Sequence, residues 1–478
     1  MRLWFSAALC AGLCVAPLPF ASADAATAAV AASRPASAAE VATYARTLLA
    51  DSVPEGGPGI VVLVARGDQV LYRGARGLAN IELGVPLTPD QVFRLGSVTK
   101  QFAAAGVMKL VEAGKVGLDD PLSKYVKDFP NGDAISVRQL LNHTSGVKSY
   151  TGIDGYMHES IKRDLSTRAM IDVFKDLPVD FAPGQGYAYN NSGYVLVGAV
   201  IEAASGQRWY DYLDQALFKP LGLKHTRYGD VHALIPGYVG GYTRGDGGNA
   251  PMNYLDMSQP HAAGALVSSL DDLLRWNLAL HNGQVLKPDS YRAMTTPEGK
   301  AREDGYGYGI GKAYAHGHGG WGHGGGIFGF ATFLLYLPDG KTTVAVLSNS
   351  DSALKDGVNP EGLARRLAAV ALGDPYPAVT AVPVDAATLK QAEGVYRKNP
   401  QLAWALRVVD GVLTQQRLGG SRIALTPVAR DTYAYPNGLS RLQLQRDGQG
   451  AVTAMRYFGD GIGESQLTAR SDEPLPQP

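Results

Sequence analysis

Gly96-Ser97-Val98-Thr99-Lys100 opens the first long helical pattern of the chain. Apolar residues then recur at helical spacing (Phe102, Ala105, Val107, Met108, Val111) from Val98 to Ala113, and Gly114 closes the run. Ser97 therefore stands where a loop enters a helix, and Lys100 lies one turn later on the same face. A helix start offers free backbone N–H groups and the positive end of the helix dipole. A serine there has its own N–H available to a developing oxyanion, and a lysine three residues on reaches the serine oxygen. To act as a base, the lysine needs its usual pKa of about 10.4 lowered, or a partner that relays the proton. Taken alone, the pair fits an ordinary N-cap serine and an exposed lysine equally well.

Two further stretches carry chemistry. Tyr189-Asn190-Asn191 follows Pro183-Gly184 and precedes an apolar helical run from Tyr194 to Ala204. A tyrosine beside a lysine shuttles protons, and an asparagine amide holds a substrate carbonyl and the lysine together. A polar turn before a helix is the plainer reading of the same residues. Trp321-Gly322-His323-Gly324-Gly325-Gly326 is a histidine- and glycine-rich loop running into an apolar strand from Phe328 to Leu337. Glycines at a strand edge admit a substrate backbone, and the Gly326 N–H is a candidate second oxyanion donor opposite Ser97.

In this order, Ser-x-x-Lys, Tyr-x-Asn and a basic residue-x-Gly on a strand resemble the penicillin-recognising serine enzymes. Tyrosine in the second motif points to the class C β-lactamase and DD-peptidase-like branch, with its esterase and D-aminopeptidase relatives. Phe93-Arg94-Leu95-Gly96, Leu140-Leu141-Asn142-His143-Thr144-Ser145-Gly146, Ala263-Gly264-Ala265-Leu266-Val267-Ser268 and Tyr306-Gly307-Tyr308-Gly309 extend the resemblance over residues 40 to 373. It implies Ser97 as nucleophile, Lys100 and Tyr189 as proton carriers, and no cofactor. It implies substrate binding by Asn191, His323, Gly325 and Gly326, with the Ser97 and Gly326 N–H groups forming the oxyanion site. His323 replaces the usual lysine of the third motif. A histidine is mostly neutral at pH 7, so docking of a substrate carboxylate weakens, and so does support for a Tyr189 phenolate. Small esters and D-amino-acid amides or peptides, peptidoglycan fragments among them, are then expected ahead of β-lactams.

Around this centre the sequence predicts an α+β fold, an antiparallel sheet with flanking helices plus a helical lobe. Strands at Gly59 to Ala65, Val70 to Gly74, Phe328 to Leu337 and Thr342 to Ser348 bracket helices at Asp271 to Leu280 and Glu361 to Leu372. The parse is a signal peptide over 1–25, an Ala/Ser-rich tether over 26–40, the hydrolase over 41–373 and a linker over 374–384. A β-rich domain over 385–478 follows, with alternating runs broken by Asp410-Gly411, Gly419-Gly420 and Asp447-Gly448. It resembles, more loosely, the lipocalin-like barrels attached to some of these hydrolases.

Composition narrows the function classes. The chain has 478 residues, 45% of them hydrophobic, and its 44 Lys+Arg balance 44 Asp+Glu. Zero formal charge gives no basic excess for nucleic acid. Met1-Arg2, the apolar Leu3 to Phe20 and the small residues Ala21-Ser22-Ala23 read as a cleaved export leader, so the protein is expected in the periplasm or outside the cell with no stable membrane insertion. Both cysteines, Cys10 and Cys14, fall inside that leader, which leaves the mature chain without disulfides or thiol chemistry.

Three rival readings remain open on the residues. His316, His318 and His323 have zinc-like spacing but lack a nearby acidic fourth ligand. His143 with Asp133 or Asp119 imitates part of a triad, yet no G-x-S-x-G elbow accompanies it. A catalytically silent binding or scaffold protein of the cell envelope is the alternative from another class, since fold alone does not fix function.

Overall fold

The computed structural model describes residues 34–355, 358–399 and 402–476. The expected leader and most of the expected tether, residues 1–33, lie outside the described residues. The chain enters through α1 (Ala38–Ser52), whose start is fixed by a capping box between Ser37 and Glu40.

β1 (Ile60–Arg66) and β2 (Gln69–Arg76) form a hairpin. α2 (Thr99–Glu112), α3 (Asn191–Ser205) and α4 (Leu270–His281) follow, with shorter helices between them. β3 (Gly311–Ala315), β4 (His318–Ile327), β5 (Phe330–Leu337) and β6 (Thr342–Ser348) then return to the hairpin, and α5 (Pro360–Leu372) closes this part. The six strands make one antiparallel sheet in the order β3-β4-β5-β6-β1-β2, so β1 from the chain's beginning pairs with β6 nearly three hundred residues later.

Both faces of this sheet are covered, which explains why β1 reads as the unbroken apolar run Ile60 to Ala65. Val61, Leu63 and Leu347 pack towards the helical lobe with Phe102 and Trp276. Val62, Val64 and Val346 pack the other way, against Leu49 of α1 and Leu367 of α5. On α4 the buried Asp272 carboxylate accepts the backbone N–H groups of Lys224, His225 and Thr226, tying that loop to the helix start.

The histidine- and glycine-rich stretch, read as a loop from its composition, is a strand, as the resemblance implied for its third motif: residues 318–327 form β4, in register with β3 and β5 (His323 opposite Leu334, Gly326 opposite Ala331). Its neighbours impose the extended conformation that glycine does not favour by itself. Downstream, β7 (Gly394–Asn399), β8 (Leu402–Val409), β9 (Val412–Arg417), β10 (Arg422–Ala424), β11 (Thr426–Ala429), β12 (Thr432–Ala434), β13 (Arg441–Arg446), β14 (Val452–Phe458) and β15 (Gln466–Ser471) form a second antiparallel sheet. Its order, β10-β9-β8-β7-β15-β14-β13-β12-β11, curls into a nearly closed barrel around Tyr396, Leu406, Tyr433 and Leu442. Leu425 separates the two end strands of this order, β10 and β11.

Among the described residues, no helix is long and apolar enough to cross a membrane.

Candidate active site

Gly96 to Val98 form a single 3-10 turn, and α2 begins at Thr99, so Ser97 sits just ahead of the helix. Gly96 has a φ of +54°, a left-handed conformation that suits glycine. Three bonds hold the turn. Leu95 N donates to Leu266 O, Leu266 N donates to Thr99 Oγ1, and Thr332 Oγ1 donates to Leu95 O. From Val92 to Lys100 every residue is buried except Ser97.

Lys100 is fully buried, and its Nζ lies 3.2 Å from Ser97 Oγ, 2.8 Å from Asn191 Oδ1 and 2.9 Å from Ala263 O. Burial drives its pKa well below the usual lysine value. The Asn191 and Ala263 oxygens only accept. A neutral amine therefore spends both N–H groups on them and turns its lone pair on the Ser97 hydroxyl.

Asn191 is the first residue of α3, held by the Asn190 side chain, which accepts from Gly193 N at 2.7 Å. The Asn190 N–H donates to His143 Nδ1 at 3.1 Å, and the His143 ring lies 4.4 Å from that of Tyr189. His143 is thus a buried brace under the Tyr-Asn-Asn turn. Neither proposed triad carboxylate reaches it, since Asp133 accepts from Ser123 and Asp119 pairs with Arg138. Tyr189 is partly exposed, with its ring centre 4.7 Å from Lys100 Nζ. Desolvation of its hydroxyl raises its pKa against the opposing pull of Ser97, so it stays a phenol.

His323 is buried. Its Nδ1 donates to Gly324 O at 2.6 Å, and its Nε2 accepts from the Tyr306 hydroxyl at 2.8 Å. Burial first, and the neighbouring Lys100 second, lower its pKa to about 4, against the opposing pull of the Gly324 carbonyl. Both ring nitrogens are engaged, and the position of the third-motif lysine holds a neutral group. His316 and His318 turn elsewhere, towards Asp374 and Asp339, and among the described residues no cluster of metal-ligating side chains forms.

The glycines of β4 divide by face. A Cβ on Gly325 would stand 1.9 Å from Leu95 O and 2.2 Å from Thr332 Oγ1, so Gly325 serves contact with the nucleophile turn. A Cβ on Gly326 would meet nothing. Gly326 opens instead on a cavity of about 320 Å³ that it shares with Ser97, Asn191, Tyr150 and Phe328. In the middle of the strand, His323 and Gly324 border a separate cleft of about 930 Å³ that reaches the C-terminal sheet.

The structure thus brings Ser97, Lys100, Tyr189 and Asn191 into contact, with Gly326 beside them and His323 behind. Sequence reasoning gave no part to Thr99, the Ala263 carbonyl or Tyr306. Each lies inside a stretch quoted above, but none was given a role there.

The pattern of the beta-lactamase family matches residues 45–369. Penicillin-binding protein 4* of Bacillus subtilis is 28% identical over 336 residues, covering 66% of this chain and 72% of that protein. Esterase EstB of Burkholderia gladioli is 35% identical over 181 residues, covering 35% of this chain and 46% of the esterase. Among solved structures, a D-stereospecific amidohydrolase from Streptomyces is similar at a TM-score of 0.58 and 29% identity, covering 67% of this chain and 96% of that one.

Proposed function

The chain belongs to the beta-lactamase family, and from that membership we propose that it is an exported serine hydrolase that works through an acyl-enzyme on Ser97. Lys100, neutral in its buried site, takes the hydroxyl proton as Ser97 Oγ forms a bond to the substrate carbonyl carbon. The N–H groups of Ser97 and Gly326 receive the oxyanion. The proton then passes from Lys100, through the Tyr189 phenol, to the leaving oxygen or nitrogen as its bond to the carbonyl carbon breaks. Water repeats the sequence in reverse on the acyl-enzyme and frees Ser97. Asn191 holds Lys100 in place and offers its amide N–H to the substrate carbonyl. No step calls for a cofactor.

The observation that carries this reading is the Lys100 amine, desolvated, with both N–H groups directed to acceptor-only oxygens and Ser97 Oγ at 3.2 Å. The proposed substrate is a small ester or a D-amino-acid amide or peptide, with peptidoglycan fragments in the same chemical class. Neutral His323 gives a β-lactam carboxylate no cation to dock on, so β-lactam turnover is expected to be weak. In this reading residues 1–25 are the export leader and 385–478 a separate β-rich domain.

The test compares purified protein with its Ser97→Ala variant on a chromogenic short-chain ester, a D-alanine anilide and a chromogenic cephalosporin. Substituting Ser97 should lower kcat/KM on the preferred substrate by at least about a thousandfold. The same loss is expected for Lys100→Met. Retention of most activity by Ser97→Ala would overturn the mechanism. Absence of any Ser97-dependent turnover would favour a silent binding protein.

A further inference from the structure

The cavity beside Ser97 has one charged residue in its wall, Asp351, in an otherwise largely apolar lining that includes Met157, Ile161, Leu255, Ile327 and Phe328. Asp351 lies just after β6, and its carboxylate is fixed by two neutral donors. Gly329 N donates to Oδ2 at 2.8 Å, and Ser352 Oγ donates to Oδ1 at 3.1 Å. Among the described residues no lysine, arginine or histidine pairs with it. Two donors leave acceptor capacity on both oxygens.

Lys100, His143 and His323 are all kept towards their neutral forms by burial, and the buried Arg94, over the Phe330 ring, forms no ion pair with Asp351. The volume of about 320 Å³ is at the lower end of small-molecule sites. A single carboxylate among apolar walls is a poor metal site, because hard cations require several oxygen ligands. It suits an organic cation whose body fills the apolar space.

The cavity also lies on a definite side of the nucleophile. It adjoins Gly326, Ile327 and Phe328, whereas the larger cleft adjoins Gly322, His323 and Gly324 in the middle of the strand. Ser97 and Gly326 both line the small cavity, so it is the space at hand for a group attached to a carbonyl held between their amides.

We infer that the small cavity is an acyl subsite for aminoacyl groups, in which Asp351 receives the substrate's free ammonium while the apolar walls take its side chain. This deepens the serine-hydrolase reading and rests on it. It narrows the substrate to an amide, peptide or ester whose acyl part is an amino acid with an unblocked amine. N-acylated and carboxylate-bearing acyl groups are disfavoured, the first for want of a charge and the second by repulsion.

The experiment measures binding by calorimetry at pH 6.5 and low salt, using the Ser97→Ala protein so that no turnover intervenes. The probes are D-phenylalanine amide and 3-phenylpropanamide, which differ only in the amine. The amine-bearing probe should bind about fivefold more tightly, the upper size of a charge pair to the exposed Asp351. In Ser97→Ala/Asp351→Asn the ratio should fall to within about twofold, while Ser97→Ala/Asp351→Glu should keep most of it. Asparagine still accepts the Gly329 N–H, and an unchanged melting temperature checks that the turn survives. The preference should also fade as pH rises past the amine's pKa, near 8 for an α-amino group. Equal binding of the two probes before Asp351 is changed, an undiminished ratio in the Asn variant, or no binding of either probe at millimolar concentration would each sink the inference. Whether Ser97 is the nucleophile is decided separately, by the ester assay on the unmodified protein.

Discussion

His281 lies flat against Tyr336, ring centres 4.0 Å apart and planes within 6°, with Nδ1 2.7 Å from the Tyr291 hydroxyl and Nε2 buried without a partner. Burial lowers its pKa to about 3, as it does for His261, while His323 falls to about 4. The sign of the resulting pH effect follows from proton counting. Unfolded histidines take up a proton near pH 6.5, but these folded ones refuse it until pH 3 to 4. The unfolded state thus binds more protons throughout that window, and stability is lost as pH falls through it. At about 1.4 kcal/mol per pH unit, each such histidine removes on the order of 3 kcal/mol between pH 6.5 and 4. Thermal melts should show the midpoint dropping steeply over that range. His281→Phe keeps the stack on Tyr336 and carries no titrating group, so its acid limb should be visibly shallower. An identical slope in the variant would mean that His281 is not held neutral.

At the scale of one strand, Gly325 and Gly326 make opposite demands. Gly325→Ala places a methyl group into Leu95 O, so β4 must move off the turn that presents Ser97. We expect a loss of kcat of at least about a hundredfold or a failure to fold, because small displacements of a reacting group are costly. Gly326→Ala points into open space, so it should fold with an unchanged melting temperature and shift preference towards smaller acyl groups. Activity and selectivity on a series of acyl chain lengths, with circular dichroism as the folding control, separate the two. Equal behaviour of the variants would remove the face assignment. The same strand marks where the sequence was hard to read. Six of the ten residues from His318 to Ile327 are glycine, so neither alternation nor β-propensity announces a strand. Its pairing is imposed by β3 and β5. By contrast α2, β1 and β6 were legible because an apolar period or run fills each of them. The pair Ser97 and Lys100 was legible because one helical turn fixes their separation. Tyr189 and Asn191 were legible only in combination with it. The Ala263 carbonyl was invisible, since a backbone acceptor leaves no mark on residue type. The short polar strands β12 and β15 were missed for lack of an apolar pattern of their own.

Across the molecule, Asp460 joins the two sheets. It lies in the segment between β14 and β15, and its carboxylate accepts from Arg365 of α5 at 2.6 Å, from His316 N at 3.1 Å, from Gly317 N at 2.6 Å and from the Tyr376 hydroxyl. His316 and Gly317 form the turn between β3 and β4, so the barrel is fastened to the hairpin that carries His323 and Gly326. Arg365 and Asp460 are 14% and 12% exposed, buried enough that breaking the pair should cost about 3 kcal/mol. Scanning calorimetry should record one transition for the intact protein. Asp460→Ala should lower the first midpoint and separate a second transition belonging to the barrel. A single unshifted peak would show that this carboxylate does not couple the two parts.

The topology of the main sheet has a consequence in time. β1 pairs with β2 as soon as the turn at Gly67-Asp68 is made, but its other edge waits for β6, roughly 280 residues further along the chain. At translation speeds of about 5–20 residues per second, that is on the order of 15 to 60 s. Throughout this interval the nascent chain carries β1 with one apolar edge unpaired, and α5, which helps to cover one of its faces, follows later still. The yield of soluble protein should accordingly depend on holdase chaperones and on slow expression rather than on the stability of the product.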